Sequence, residues 1–190
     1  MKRSLRTVLL TSAIVPGLFC LATLSYVGAT LPKTGLGTGP REVPPREVRL
    51  RFRQVTDRKL PKGAANLRAI TGGGRAGKIF VRFEADRQGQ EEVVALFTDQ
   101  GAVFRSLDPG ELVALKQSTS VFFDEAKGWQ DELRIDLYTP ASIRSARVWE
   151  GALKMPPPGP GRTGYDVLYQ VLIDPHSGVV YIFAETGLAY

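Results

Sequence analysis

The chain nearly lacks the residues on which most metal and thiol chemistry depends. Its 190 residues hold one cysteine, Cys20, and one histidine, His176. A single cysteine closes no disulfide within the chain, so a domain outside the cytoplasm must rely on its own core. Zinc favours cysteine and histidine ligands, and this chain has no such set to offer. A strong charge excess is missing too. Three of the +6 formal units are Lys2, Arg3 and Arg6, and no acid precedes Thr30, so the remainder carries only +3. That mild balance is no nucleic-acid footprint. No repeat of fixed period runs through the sequence.

The strongest positive signal is an uncharged apolar run from Val8 to Tyr26, directly behind Lys2, Arg3 and Arg6. This pattern is an export signal or a membrane anchor. A spanning helix needs about 20 apolar residues, and a signal-peptide core about 7–15. Two outcomes fit. Residues 8–31 stay as one transmembrane helix, kinked at Pro16, or Val27-Gly28-Ala29 is cleaved and the mature chain starts near Thr30. The basic cluster precedes the run, so the N-terminus stays inside. The expected location is a bacterial inner membrane, with the C-terminal bulk on the periplasmic or extracellular side. Gly17-Leu18-Phe19 precedes Cys20, and the bulky Phe19 argues against a lipidated cysteine.

Residues 1–31 are thus read as the membrane segment, 32–45 as a Pro/Gly-rich linker and 46–190 as one exported domain. Within the linker, Leu31-Pro32-Lys33-Thr34-Gly35 matches the sortase pattern. Sortase signals precede a C-terminal apolar segment, whereas this match follows an N-terminal one.

The expected fold is α+β and β-rich, a mostly antiparallel sheet with one or two short helices. Val48, Leu50 and Phe52 alternate with arginines as a half-buried strand. Strands are also expected at Ile79–Phe83, Glu92–Thr98, Ala102–Leu107, Val121–Phe123 and Leu133–Leu137. Asp86–Gly89 and Asp99–Gly101 read as turns, and Lys127–Gln130 as a loop. Asp108-Pro109-Gly110-Glu111 carries the N-cap, proline and capping-box signals of a helix start, ending near Ser118. Thr139-Pro140 repeats the cap-then-proline signal, but Val148-Trp149 equally suits a strand. Residues 155–164 are a loop, and 166–185 a hairpin turning at Asp174–Gly178. Val171–Tyr181 resembles the closing hairpin of small exported PepSY-type domains, over that stretch alone, and assigns no family.

Several constellations invite a chemical reading. Gly72-Gly73-Gly74-Arg75-Ala76-Gly77-Lys78 has the spacing of a phosphate loop. Ile79 stands where the Mg²⁺-binding hydroxyl belongs, and the segment runs into a strand instead of opening a helix. It reads as a hairpin connection. His176 lies between Asp174 and Ser177, but triads are assembled from distant segments. Asp124-Glu125 and Asp131-Glu132 flank Gly128-Trp129, as in a glycan-cleaving cleft, or as ordinary solvated charge. A calcium loop needs a glycine at a place this stretch does not provide. No catalytic, cofactor or metal residue is therefore assigned.

Contact faces are better supported. At strand spacing Arg49, Arg51 and Arg53 share one side, which is either the solvated side of an ordinary strand or a face suited to anionic headgroups or an acidic partner. Tyr165, Tyr169, Tyr181, Phe183 and Tyr190 crowd the C-terminal hairpin, either as core or as an interface. Tyr169 and Val171 share one face, Leu168 and Gln170 the other. The expectation is a non-catalytic accessory or assembly subunit. It is anchored through residues 8–31 and meets other membrane proteins of a larger complex through Arg49, Arg51, Arg53, Tyr169, Tyr181 and Tyr190. The alternative is a secreted module that binds a small ligand, lipid or peptide.

Overall fold

The computed structural model describes residues 39–72, 77–117, 120, 122–155 and 164–187. Strands β1 (Arg41–Val43), β2 (Ala65–Gly72), β3 (Lys78–Glu84), β4 (Arg105–Ser106), β5 (Arg147–Met155), β6 (Tyr165–Ile173) and β7 (Val179–Thr186) form one antiparallel sheet. Its order is β1-β2-β3-β7-β6-β5-β4. The long C-terminal hairpin β6–β7 lies near the middle. The β2–β3 hairpin and β5 flank it, and the shortest strands lie at the edges.

Both sheet faces carry helices. Helices α1 (Val48–Thr56) and α2 (Arg87–Thr98) cover one face, where Ile79, Val81, Phe83, Val171 and Ile182 are fully buried. Helices α3 (Pro109–Lys116) and α4 (Asp124–Leu133) cover part of the other, above Ile70, Phe80, Leu172 and Tyr181. The architecture is therefore a sheet-rich α+β fold with four α-helices among the described residues, more than the one or two expected.

Two expected strands are helices. Around Val48 the arginine alternation hides a second period: Val48, Phe52 and Val55 recur at helical spacing and are buried. Leu50, which a strand would have turned inward, is 58% exposed. Glu92–Thr98 is the second half of α2, whose buried residues are Gly89, Val93 and Phe97. Asp86, expected in a turn, is the N-cap of that helix, and its Oδ1 accepts from the Gly89 N–H at 2.8 Å.

Other expectations change for local reasons. Lys127–Gln130 lies inside α4 despite Gly128, because Ala126 and Trp129 share its buried side. Leu133–Leu137 forms no strand. Gln130 takes the place of a neighbouring strand: its Oε1 accepts the Leu137 N–H at 2.8 Å and its Nε2 donates to the Tyr138 carbonyl at 3.3 Å. Phe122 and Phe123 form a turn, and Val121 lies outside the described residues. Of the expected Ala102–Leu107 strand only Arg105–Ser106 is strand, with the Leu107 N–H still bonding the Ala146 carbonyl. Thr139-Pro140 opens a single 3-10 turn, Pro140–Ser142, and Val148-Trp149 belongs to β5.

The α3 start follows its sequence signal. Asp108 accepts from the Glu111 N–H, Glu111 accepts from the Asp108 N–H, and Pro109 opens the helix. The C-terminal hairpin also forms as its pattern implies, with Gly178 at a φ of +76° closing the turn. Within the stretch expected as linker, Arg41–Val43 forms β1, pairs with β2 and buries Val43. No described helix is long and apolar enough to cross a membrane, and residues 8–31 lie outside the described residues.

Candidate functional site

The α3–α4 layer covers only part of its face. Residues of even number on β5, β6 and β7's alternate set share that face. Over Val148, Leu172 and Tyr181 it is closed by the helices. Further along the same strands it is open, and Leu168 there is 49% exposed. A groove of about 380 Å³ runs along the opening. Its floor is Ala152, Leu168 and Phe183, and its rim holds the four carboxylates Asp124, Glu125, Glu150 and Glu185.

Each rim position has a structural cause. Asp124 and Glu125 occupy the first turn of α4, where the helix dipole favours negative charge. Gln170 fixes that helix start to the sheet. Its Oε1 accepts the Phe123 N–H at 3.0 Å, and its Nε2 donates to Glu150 Oε1 at 2.7 Å. Lys78 bridges the other end, with Nζ 3.0 Å from both Glu125 and Glu185. Burial alone would lower the Lys78 pKa, but the two carboxylates outweigh it and hold the ammonium above its ordinary value. The rim is therefore net acidic over an apolar floor. Such a site attracts cations carrying apolar groups and repels phosphates.

The glycine-rich segment now has a structural account. A Cβ on Gly72 would fall 2.3 Å from Trp129 Cζ2, so glycine lets the indole lie flat on β2. Lys78, the lysine of the apparent phosphate loop, is held by carboxylates at the groove. Trp129 is buried against Phe183, with ring centroids 5.8 Å apart, and offers no exposed sugar platform. Asp124-Glu125 and Asp131-Glu132 stand near opposite ends of α4, about 10 Å apart along its axis. The first pair lines the groove and the second does not.

The contact candidates separate. Arg49 clasps the 60–64 loop, donating to the Pro61 carbonyl at 2.7 Å and the Ala64 carbonyl at 2.9 Å. Arg51 bonds Gln54 at 3.0 Å, and on a helix Arg49, Arg51 and Arg53 do not share one face. Tyr169 and Tyr181 are buried, Tyr169 against Phe97 and Trp149, Tyr181 against Phe80 and Tyr138. The Tyr181 hydroxyl meets Thr139 Oγ1 at 3.1 Å. Tyr190 lies outside the described residues. The His176 ring meets Arg144 at 3.0 Å, while the Ser177 hydroxyl donates to Asp174 at 2.8 Å. Asp174 is buried and organises the turn, accepting also from the His176 N–H at 3.0 Å.

The groove residues missed by sequence reasoning are Lys78, Glu150, Ala152 and Glu185. They lie on three separate strands, and only the sheet register joins them. The one available signal was the shared face of Leu168 and Gln170. Compared with known proteins, the chain matches no family model, no curated protein and no solved structure.

Proposed function

We propose that this chain is a membrane-anchored, extracytoplasmic accessory subunit without catalysis of its own. Its acidic groove takes up a cationic, partly apolar segment of a larger membrane complex. The observation that carries this reading is the combination of an apolar floor, Leu168 and Phe183, with a four-carboxylate rim on the open part of the sheet. An apolar floor favours contact through desolvation, and the acidic rim selects basic side chains and speeds encounter. The Lys2-Arg3-Arg6 cluster and the apolar run behind it supply the expected anchor.

A second reading shares the same groove. Its volume of about 380 Å³ falls within the range of small-ligand sites, which suits a secreted module holding a cationic amphiphile.

Photo-crosslinking distinguishes the two. A photoreactive residue replaces Leu168 in the full chain, in membranes of the cells that make it. The subunit reading expects one protein adduct, lost when Asp124→Asn and Glu150→Gln are introduced together. A chain found free, starting near Thr30 and giving no protein adduct, sinks that reading. Native mass spectrometry of that species then shows whether a small cation is bound.

A further inference from the structure

We propose that the outer edge of β5 is a self-pairing surface, at which two copies of this chain join their sheets in one defined register. The inference does not depend on what occupies the groove. β5 pairs with β6 along its whole length, from Arg147 to Met155. On its other side β4 pairs only with Arg147 and Val148. Among the described residues, no strand covers Trp149–Met155 on that side. An uncovered edge of this length is a template for another strand.

The pleat decides which backbone groups face outward. The Leu107 N–H donates to the Ala146 carbonyl at 3.0 Å, and Arg105 stands opposite Val148. Even-numbered residues of β5 therefore present their N–H and C=O groups to the outside. Beyond β4 these are Glu150, Ala152 and Lys154, all three exposed. Ala152 is the midpoint of the open stretch.

Antiparallel pairing of two copies about Ala152 sets each Glu150 opposite the other copy's Lys154. Neither residue belongs to an ion pair among the described residues of one chain. Glu150 is oriented by Gln170, a neutral donor, with the Arg105 charge nearby but not in direct contact, and Lys154 stands opposite Asp166 of β6 without an ion pair. Edge charges ordinarily keep strands apart. Here their signs are complementary under a twofold, so the pattern that repels other edges admits a second copy. The same register forms about six backbone hydrogen bonds. On the opposite face it sets Trp149 against Met155, a favourable sulfur–aromatic pairing. The twofold runs perpendicular to the sheet, so both acidic grooves open on the same side and meet at the seam through Glu150 and Ala152.

Disulfide trapping and charge swapping test the proposal on the full chain in detergent. With Cys20→Ser as background, Ala152→Cys stands opposite itself. Cα atoms of a hydrogen-bonded antiparallel pair lie about 5.5 Å apart, within disulfide reach. Mild oxidation is expected to give a linked dimer with Ala152→Cys and none with Val113→Cys, an exposed control on α3. In sedimentation velocity, Glu150→Lys or Lys154→Glu alone weakens the dimer roughly tenfold, and the two together restore it. Circular dichroism of each variant confirms that the sheet is intact. A monomer at all concentrations, equal trapping at both cysteines, or no rescue by the double swap overturns the proposal. So does a different protein's strand trapped at Ala152→Cys.

Discussion

Replacing Gly72 by alanine adds a single methyl group where the fold has no room for it. A Cβ at this position lies 2.3 Å from Trp129 Cζ2 and 2.6 Å from Cη2. The contact is with a rigid indole, buried between β2 and Phe183, and not with the end of a flexible side chain. The ring must shift, and it carries α4 or Phe183 with it. Overpacking of this kind costs about 1–3 kcal/mol. For a domain of this size each kcal/mol moves Tm by about 2–4 °C, so Gly72→Ala lowers Tm by roughly 2–12 °C. Gly128→Ala is the matched control on the same helix. A Cβ there meets nothing within 4 Å, and alanine is favoured over glycine inside a helix by about 0.5–1 kcal/mol. Gly128→Ala therefore raises Tm by about 1–4 °C. Far-UV circular dichroism melts of the three proteins under identical conditions measure both shifts. A Gly72→Ala protein that melts at or above the parent refutes the packing of Trp129 on β2.

Three further outcomes are expected. Arg49→Ala costs about 2 kcal/mol by urea unfolding, because charged donors to the 60–64 carbonyls are lost, while Arg51→Ala and Arg53→Ala stay within about 0.5 kcal/mol. Asp108→Ala, which removes the α3 cap, lowers stability by about 1 kcal/mol in the same assay. Alkaline pH destabilises the fold. Burial pushes the Tyr169 hydroxyl up to about 12 and raises Tyr138 as well, so both stay protonated in the native state after the unfolded chain has begun to ionise. Lys78 is also held above its ordinary value and shifts stability in the same direction. The contribution of these groups is therefore level below about pH 10 and falls between about pH 10 and 12. Urea unfolding across that range, with tyrosine absorbance followed in parallel, checks the sign; stability that rises above pH 10 contradicts it.

The legible parts of the sequence were those where a local signal had no competitor. The α3 capping box uses residues within one turn, and the β6–β7 turn depends on Gly178 at positive φ, so neighbours alone specify both. Misreadings arose where two periods coexist. In Val48–Thr56 arginines at every second position imitate a strand, while Val48, Phe52 and Val55 obey helical spacing. Nothing local decides between them. The decision comes from the sheet face that α1 covers, which only the tertiary fold supplies. Leu133–Leu137 failed in the opposite way. Its alternation is genuine, but Gln130 satisfies the backbone groups a neighbouring strand would have taken. The groove lay further out of reach, because Lys78, Glu150 and Glu185 come together only through strand register.

The groove and the β5 edge meet at Glu150, and the charges there are hard to explain by stability alone. Carboxylates gathered around an apolar floor repel one another, and that repulsion grows as solvent is excluded. Within the chain, Lys78 neutralises one end, between Glu125 and Glu185. Gln170 orients Glu150 at the other end but brings no charge. A fold optimised only for its own stability would pair Glu150 directly with a basic residue, or close α4 over Leu168. Among the described residues Glu150 has the Arg105 charge nearby but no direct ion pair, and Lys154, opposite Asp166 of β6, forms none either. An arrangement with carboxylates left uncompensated above exposed apolar surface is one that a second, complementary surface completes. The cation that completes Glu150 is then the other copy's Lys154 at the seam, and the cation that completes the rim is the groove's occupant.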